Sequence, residues 1–217
     1  MYSEVLHRLK SNYTFVDFHK KQYNVGDLIL RHDIDFSLES AYEMAKMETD
    51  MGIKANYFFL VGSSAYNLFD TDKEYILQYI GNNHNVGLHF NITDGKNIRE
   101  QFWQQMNIIK ERFPKKEYFT SIHRPDKYFL NNNTLPFHHS YEKEYFSDIK
   151  YFSDSRCDKT IHGIFESKEF IVSYPLQVLI HPIWWMNGSD HLHENIKKIK
   201  EKKQDEFERY INSNIRL

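Results

Sequence analysis

The chain has 217 residues, 41% apolar and 27% charged, which excludes a disordered segment or a coiled coil and fits one domain better than two. Lys and Arg total 28 against 30 Asp and Glu, and a net charge of −2 supplies no basic field for a nucleic-acid backbone or an anionic membrane.

Helical spacing covers Ser3–Lys10, and an aromatic extended piece follows over Tyr13–His19. Asp27–Arg31 is an apolar run of strand length. Ser37 is placed to cap a helix over Leu38–Asp50, where Leu38, Ala41, Tyr42 and Ala45 share one face, and Gly52 is placed to end it. Strand and helix then alternate: Ala55–Val61 as strand, Asp72–Asn82 as helix, Asn85–His89 as strand, Asn97–Arg112 as a helix closed by Pro114. Tyr118–Ile122, Ile149–Phe152, Phe170–Ser173 and Leu176–Ile180 read as further strands, and His191–Asn212 as a charged helix. Arg124–Asp148 has no clear period and reads as a long excursion. No repeat, low-complexity tract or linker marks a domain boundary. The alternation calls for a mostly parallel α/β arrangement, as a doubly wound open sheet or as a closed or partly open β/α barrel. The glycine-rich phosphate turn of a dinucleotide-binding sheet is missing, which weakens the open-sheet alternative.

Polar residues recur just after the apolar runs. Asp33 and Asp35 follow the first, His89 closes the third, His123 and Arg124 follow the next, Asp154 comes after Phe152, and His181 after Ile180. In parallel α/β folds the carboxyl ends of all strands share one face, so these residues can converge there. Asp33 and Asp35 lie two apart in an extended segment, on one side, and two close carboxylates need a cation or a proton between them. A lone Asp there reads as a helix cap; the pair, with His89 and His123, points to a metal site. His84 reads as structural, and His138, His139, His191 and His193 as solvated. His181 opens His-Pro-Ile-Trp-Trp, whose Trp184 and Trp185 can be core or can wall a sugar site. Cys157 is the sole cysteine, so no internal disulfide or Cys-x-x-Cys pair forms, and nothing beyond Arg156 argues for a nucleophilic thiol. No apolar stretch reaches the ~20 residues that span a bilayer. The opening MYSEVLHRLK lacks the order of a secretory signal. A cytoplasmic location is the expectation.

Taken together, these residues resemble the polysaccharide deacetylase family of metal-dependent carbohydrate esterases, closest to a divergent His-Asp-x-Asp branch linked to bacterial surface-polysaccharide biosynthesis. The first family motif, a paired Asp-Asp, falls on Leu30–Ser37: Asp33 takes the place of the base, Ile34 that of the second Asp, and Asp35 is the substitute ligand. The second motif, His-x-x-x-His, has His89 first and Thr93 in place of the second histidine, with His123 as the replacement ligand. Arg124 resembles the arginine that orients the base, Asp154 the acid that steadies the catalytic histidine, and Leu179-Ile-His181 the Leu-x-His whose histidine is the general acid.

The resemblance implies a single-domain, irregular β/α barrel and one divalent metal, zinc above others, on Asp35, His89 and His123. Trp184 and Trp185 would grip the sugar. The implied reaction removes an N-acetyl or N-formyl group from an amino sugar, a nucleotide-linked or lipid-linked precursor of surface polysaccharide. Two alternatives stand beside it: hydrolysis of a non-sugar amide, and carbohydrate binding on a scaffold that has lost catalysis.

Overall fold

The computed structural model describes residues 2–93, 97–115, 117–155, 159–186, 188 and 192–215. Helix α1 (Tyr2–Asn12) leads into β1 (Thr14–Val16) and β2 (Asp27–Ile34), then α2 (Leu38–Asp50), β3 (Asn56–Phe59), α3 (Glu74–Asn83), β4 (Asn85–Phe90), α4 (Ile98–Arg112) and β5 (Phe119–Ile122). The second half holds α5 (Lys143–Phe146), β6 (Lys150–Ser153), α6 (Lys168–Ile171), β7 (Leu176–Leu179), α7 (Pro182–Trp185) and α8 (Leu192–Asn214). The strands form one sheet in the order β5-β4-β3-β2-β7-β6, every pair parallel, with β1 beside the Asp27–Ile29 end of β2.

All eight residues of β2 are buried, because the strand is covered on both faces. Alternation divides them. Leu28, Leu30 and Ile34 face outward with Tyr57, Phe59, Leu88 and Val178 and join the core under the helices; Ile29 faces inward with Phe58, Phe119, Phe18 and Tyr145. At a strand spacing of about 4.8 Å, β5 and β2 would lie roughly 14 Å apart in a flat sheet. Ser121 Oγ on β5 is nevertheless 3.0 Å from Asp33 Oδ1 on β2, so the sheet is curled into a partly open barrel. The segment 137–146 crosses the open side. Ser140 N–H donates to the Thr120 carbonyl (2.9 Å), and Gln177 Nε2 donates to the Ser140 and Tyr145 carbonyls (3.0 and 2.5 Å). Inside the curl there is little room: a Cβ on Gly87 would run into the Phe119 carbonyl and come within 2.7 Å of the Phe58 ring.

Local signals explain the helix ends. Ser37 Oγ accepts from Ser40 N–H at the start of α2. Gly52, at φ +68°, closes it, with Gly52 N–H on Thr49 O and Ile53 N–H on Glu48 O. One expected strand is overturned. Phe170–Ser173 is not extended: Ser167 Oγ caps Phe170 N–H (3.2 Å) to start α6, and Ser173, at φ +54°, turns the chain toward β7. A cap three residues ahead of an apolar pair outweighs their strand preference. Cys157, Arg156 and His191 lie outside the described residues.

Candidate metal centre

Four side chains meet at the carboxyl ends of the strands. Asp35 sits one residue past β2, and its backbone is pinned from the next loop: Tyr66 OH donates to Ile34 O (2.6 Å) and Ser63 Oγ to Asp35 O (2.8 Å). His89 faces inward from β4. His123 follows β5, its N–H on Phe90 O (2.8 Å) continuing the β4–β5 ladder. His181 follows β7, where Ile180 N–H donates to Arg31 O (2.9 Å).

The Nε2 atoms of the three histidines all turn toward one carboxylate. His89 Nε2 is 3.2 Å and His123 Nε2 3.9 Å from Asp35 Oδ1, and His181 Nε2 is 3.7 Å from Asp35 Oδ2. Each Nδ1 is engaged from behind: Ser121 Oγ on His89 (2.5 Å), Asn91 Oδ1 on His123 (3.2 Å), Asp154 Oδ1 on His181 (2.5 Å). Asn91 Oδ1 can only accept, so His123 Nδ1 carries its proton and Nε2 is the free donor atom. Ligand atoms of Asp35, His89 and His123 lie within 4.8 Å of one another. Asp35 Oδ1, in their midst, is buried without a well-formed hydrogen bond, although His89 Nε2 is close. A buried orphaned carboxylate oxygen facing imidazole nitrogens is the donor set a divalent cation satisfies, so the residues present fit such an ion.

The charge states agree with this. Burial pushes Asp35 up, but His89 and His181 outweigh it and hold the carboxyl below its ordinary range. Burial, then His89, push His123 down, toward the neutral form that binds metals. Burial lowers His181 too, yet Asp154 more than compensates and raises it. Asp154 accepts from the His181 backbone N–H (3.2 and 3.0 Å) and from Trp185 Nε1 (2.9 Å).

Asp33 lies behind the cluster, its Oδ2 3.6 Å from His89 Nδ1. Burial pushes its carboxyl up, but the Arg31 guanidinium beside it prevails and holds it well below the usual carboxylate range. This corrects the expectation for Arg124. Arg31 Nε donates to Asp33 Oδ1 (3.0 Å) and Nη2 to Oδ2 (2.6 Å), whereas Arg124 is exposed, with its backbone at φ +49°. The signal lay in the same alternation that pairs Asp33 with Asp35, since Arg31 is the next inward residue back along β2.

Two further expectations change, those for Trp185 and His139. Trp185 spends its N–H on Asp154 and packs on Tyr2, at 5.7 Å between ring centroids, so it braces the site rather than walls it; Trp184 stands half-buried near Phe36 (6.3 Å). His139 is fully buried, its Nε2 on Asn132 O (3.0 Å), not solvated; His138 and His193 are exposed. Thr93 is exposed, and its backbone is tied to Gln101. His84 is buried and structural, receiving Ala55 N–H at Nδ1 (3.2 Å).

Sequence reasoning also passed over Ser121 and a buried unit behind β2, where Glu48 takes His32 Nε2 and Tyr57 OH, both at 2.7 Å, and Tyr2 OH. A cavity of about 640 Å³ between β6 and α6, with Lys150, Tyr151, Val172 and Tyr174 on its walls, touches none of the cluster.

Neither a family model nor a curated protein matches the sequence. Among solved structures, the chain is similar to a CE4 family pseudoenzyme from Bacillus anthracis at 14% identity and TM-score 0.48, and to a mutant of it with restored enzymatic activity at 15% and 0.47. It covers 60% and 63% of those two chains while they match 81% of its own length. A family 4 carbohydrate esterase from Bacillus anthracis aligns with 94% of this chain and 86% of its own, at 13% identity and TM-score 0.45. At such identities the functional argument rests on the residues of the site. No described helix is long and apolar enough to cross a membrane.

Proposed function

We propose that the protein is a metal-dependent hydrolase that removes an N-acyl group, acetyl or formyl, from an amino sugar carried as a cytoplasmic nucleotide-linked or lipid-linked precursor of surface polysaccharide. The observation that carries this reading is the convergence of three Nε2 atoms on Asp35, each imidazole held from behind. A divalent cation on Asp35, His89 and His123, zinc by the mix of imidazole and carboxylate donors, would polarise the acyl oxygen and make bound water more acidic.

The chain's own residues supply the rest. Asp33 Oδ1 already accepts from Arg31 and Ser121, while among the described residues Oδ2 accepts from Arg31 alone, which leaves Oδ2 a lone pair for the proton of the attacking water. His181 Nε2 gives a proton to the departing nitrogen, and Asp154 keeps the imidazole oriented and stabilises its charged form. Trp184 and Phe36 offer flat apolar faces to the sugar ring at the rim.

The test is amine release from a panel of N-formyl and N-acetyl nucleotide sugars, run beside metal analysis of the purified protein. Zinc at one equivalent with amine release is the expected result; protein that takes up no divalent ion and releases no amine overturns it. A second reading, carbohydrate binding without turnover, is favoured by one observation: a carboxylate clamped as tightly as Asp33 is a weak base. Stoichiometric sugar binding with no amine release would select it.

A further inference from the structure

The hydroxyl of Ser121 is fully buried and touches both halves of the site: it lies 3.0 Å from Asp33 Oδ1 and 2.5 Å from His89 Nδ1. A serine hydroxyl has one proton to give. Asp33, paired with Arg31, is an ion and can only accept, so that proton goes to Asp33 Oδ1. Ser121 Oγ can then only accept from His89, which obliges His89 Nδ1 to carry hydrogen and leaves Nε2, on the side of Asp35, as the free donor atom. No other described contact on His89 Nδ1 meets hydrogen-bond geometry; Asp33 Oδ2 is at 3.6 Å.

We propose that Ser121 is a positioning residue that fixes the tautomer of His89 and ties it to the Arg31–Asp33 pair, presetting Nε2 for a divalent cation. The inference rests on the metal reading above and deepens it. Asn91 does the same for His123 from just past β4, but among the described residues Ser121 alone hydrogen-bonds both a ligand and the proposed base. The chain of contacts runs Arg31, Asp33, Ser121, His89, Asp35, and four of its five members are buried. A hydroxyl at this place does what an outer carboxylate does for many metal-bound histidines: it holds the ring and sets which nitrogen is bare.

The experiment compares wild type, Ser121→Ala and Ser121→Thr. Nitrogen-15 spectra of the metal-free proteins at pH 8.5 read which His89 nitrogen is protonated, and competition with a chelator reads affinity for Zn²⁺. Wild type and Ser121→Thr should show Nδ1 protonated. Ser121→Ala should lose that signature, bind Zn²⁺ about 10–100-fold more weakly, and keep the thermal midpoint of the metal-free protein. A bare Nδ1 in wild type overturns the proposal, as does an alanine variant with unchanged tautomer and affinity. If wild type binds no Zn²⁺, the metal reading fails, while the tautomer comparison still decides the role of Ser121.

Discussion

Arg31 and Asp33 stand two residues apart on the inner face of one strand and are joined by two hydrogen bonds, 3.0 and 2.6 Å long, with neither side chain reaching solvent. Gln177 Oε1 (3.2 Å) and Tyr141 OH (3.1 Å) occupy further guanidinium donors. A buried pair adds little net stability when intact but is costly to break from one side, because the surviving charge has no water to turn to.

Replacing Arg31 by methionine should therefore destabilise the protein by about 3–5 kcal/mol. Adding Asp33→Asn to that variant should recover much of the loss, since the orphaned charge is gone. Urea denaturation of the two single variants and the double variant checks this. Additive losses would mean the two side chains are not coupled.

Metal retention tests the ligand assignment. Asp35→Ala, His89→Ala and His123→Ala should each lose zinc on dialysis while remaining folded, and Trp184→Ala should keep it. Zinc at 100 times its dissociation constant should stabilise wild type by about 2.7 kcal/mol and leave the three ligand variants unmoved. Calorimetry with and without zinc reads both.

The third expectation concerns His181. To act as an acid it must be protonated, and Asp154 raises its pKa, so turnover should persist above pH ~6.5 and fall as the pH climbs past the raised value. His181→Ala should cut turnover by ~10²–10⁴-fold and remove the alkaline limb. Asp154→Asn withdraws the raising charge and should shift that limb to lower pH. A pH–rate series on the three proteins settles the assignment, and an alkaline limb unchanged in Asp154→Asn would count against it.

Acid sensitivity follows from His139. Burial and the nearby Arg31 push its pKa down to about 4, against an unfolded value near 6.5. A folded value below the unfolded one means the contribution is complete above pH 6.5 and is lost as the pH falls toward 4. The loss is on the order of 3 kcal/mol at the acid end. Urea midpoints at pH 7, 5.5 and 4.5 should fall less steeply for His139→Gln than for wild type.

Much of the frame was legible. Short apolar runs ending in Asp or His mark the strands and their carboxyl ends, and because such ends share a face in parallel sheets, Asp35, His89, His123 and His181 group together from the sequence. What could not be read depended on contacts between distant segments. His139 sits among polar neighbours in the chain, and only the passage of 137–146 across the open side of the barrel buries it. Ser121 is a small residue in a strand whose meaning appears once the curl brings β5 against β2. Arg31 differs: its pairing was available from alternation, but the resemblance drew the role to Arg124, which is exposed while Arg31 holds both Asp33 oxygens.

The strand order also dictates a sequence of events in synthesis. β2 emerges long before β7, its neighbour on one of its two edges, aligned from Leu28 with Leu176 to Arg31 with Leu179. Until that segment leaves the ribosome, a strand of eight buried residues offers an open row of amides and carbonyls, and Gln177, a partner of Arg31, does not yet exist. Contacts this distant in the chain make folding slow and leave sticky edges exposed meanwhile. Ribosome-stalled chains ending before Leu176 should be captured by chaperones and digested by protease, and chains released past Trp185 should resist both.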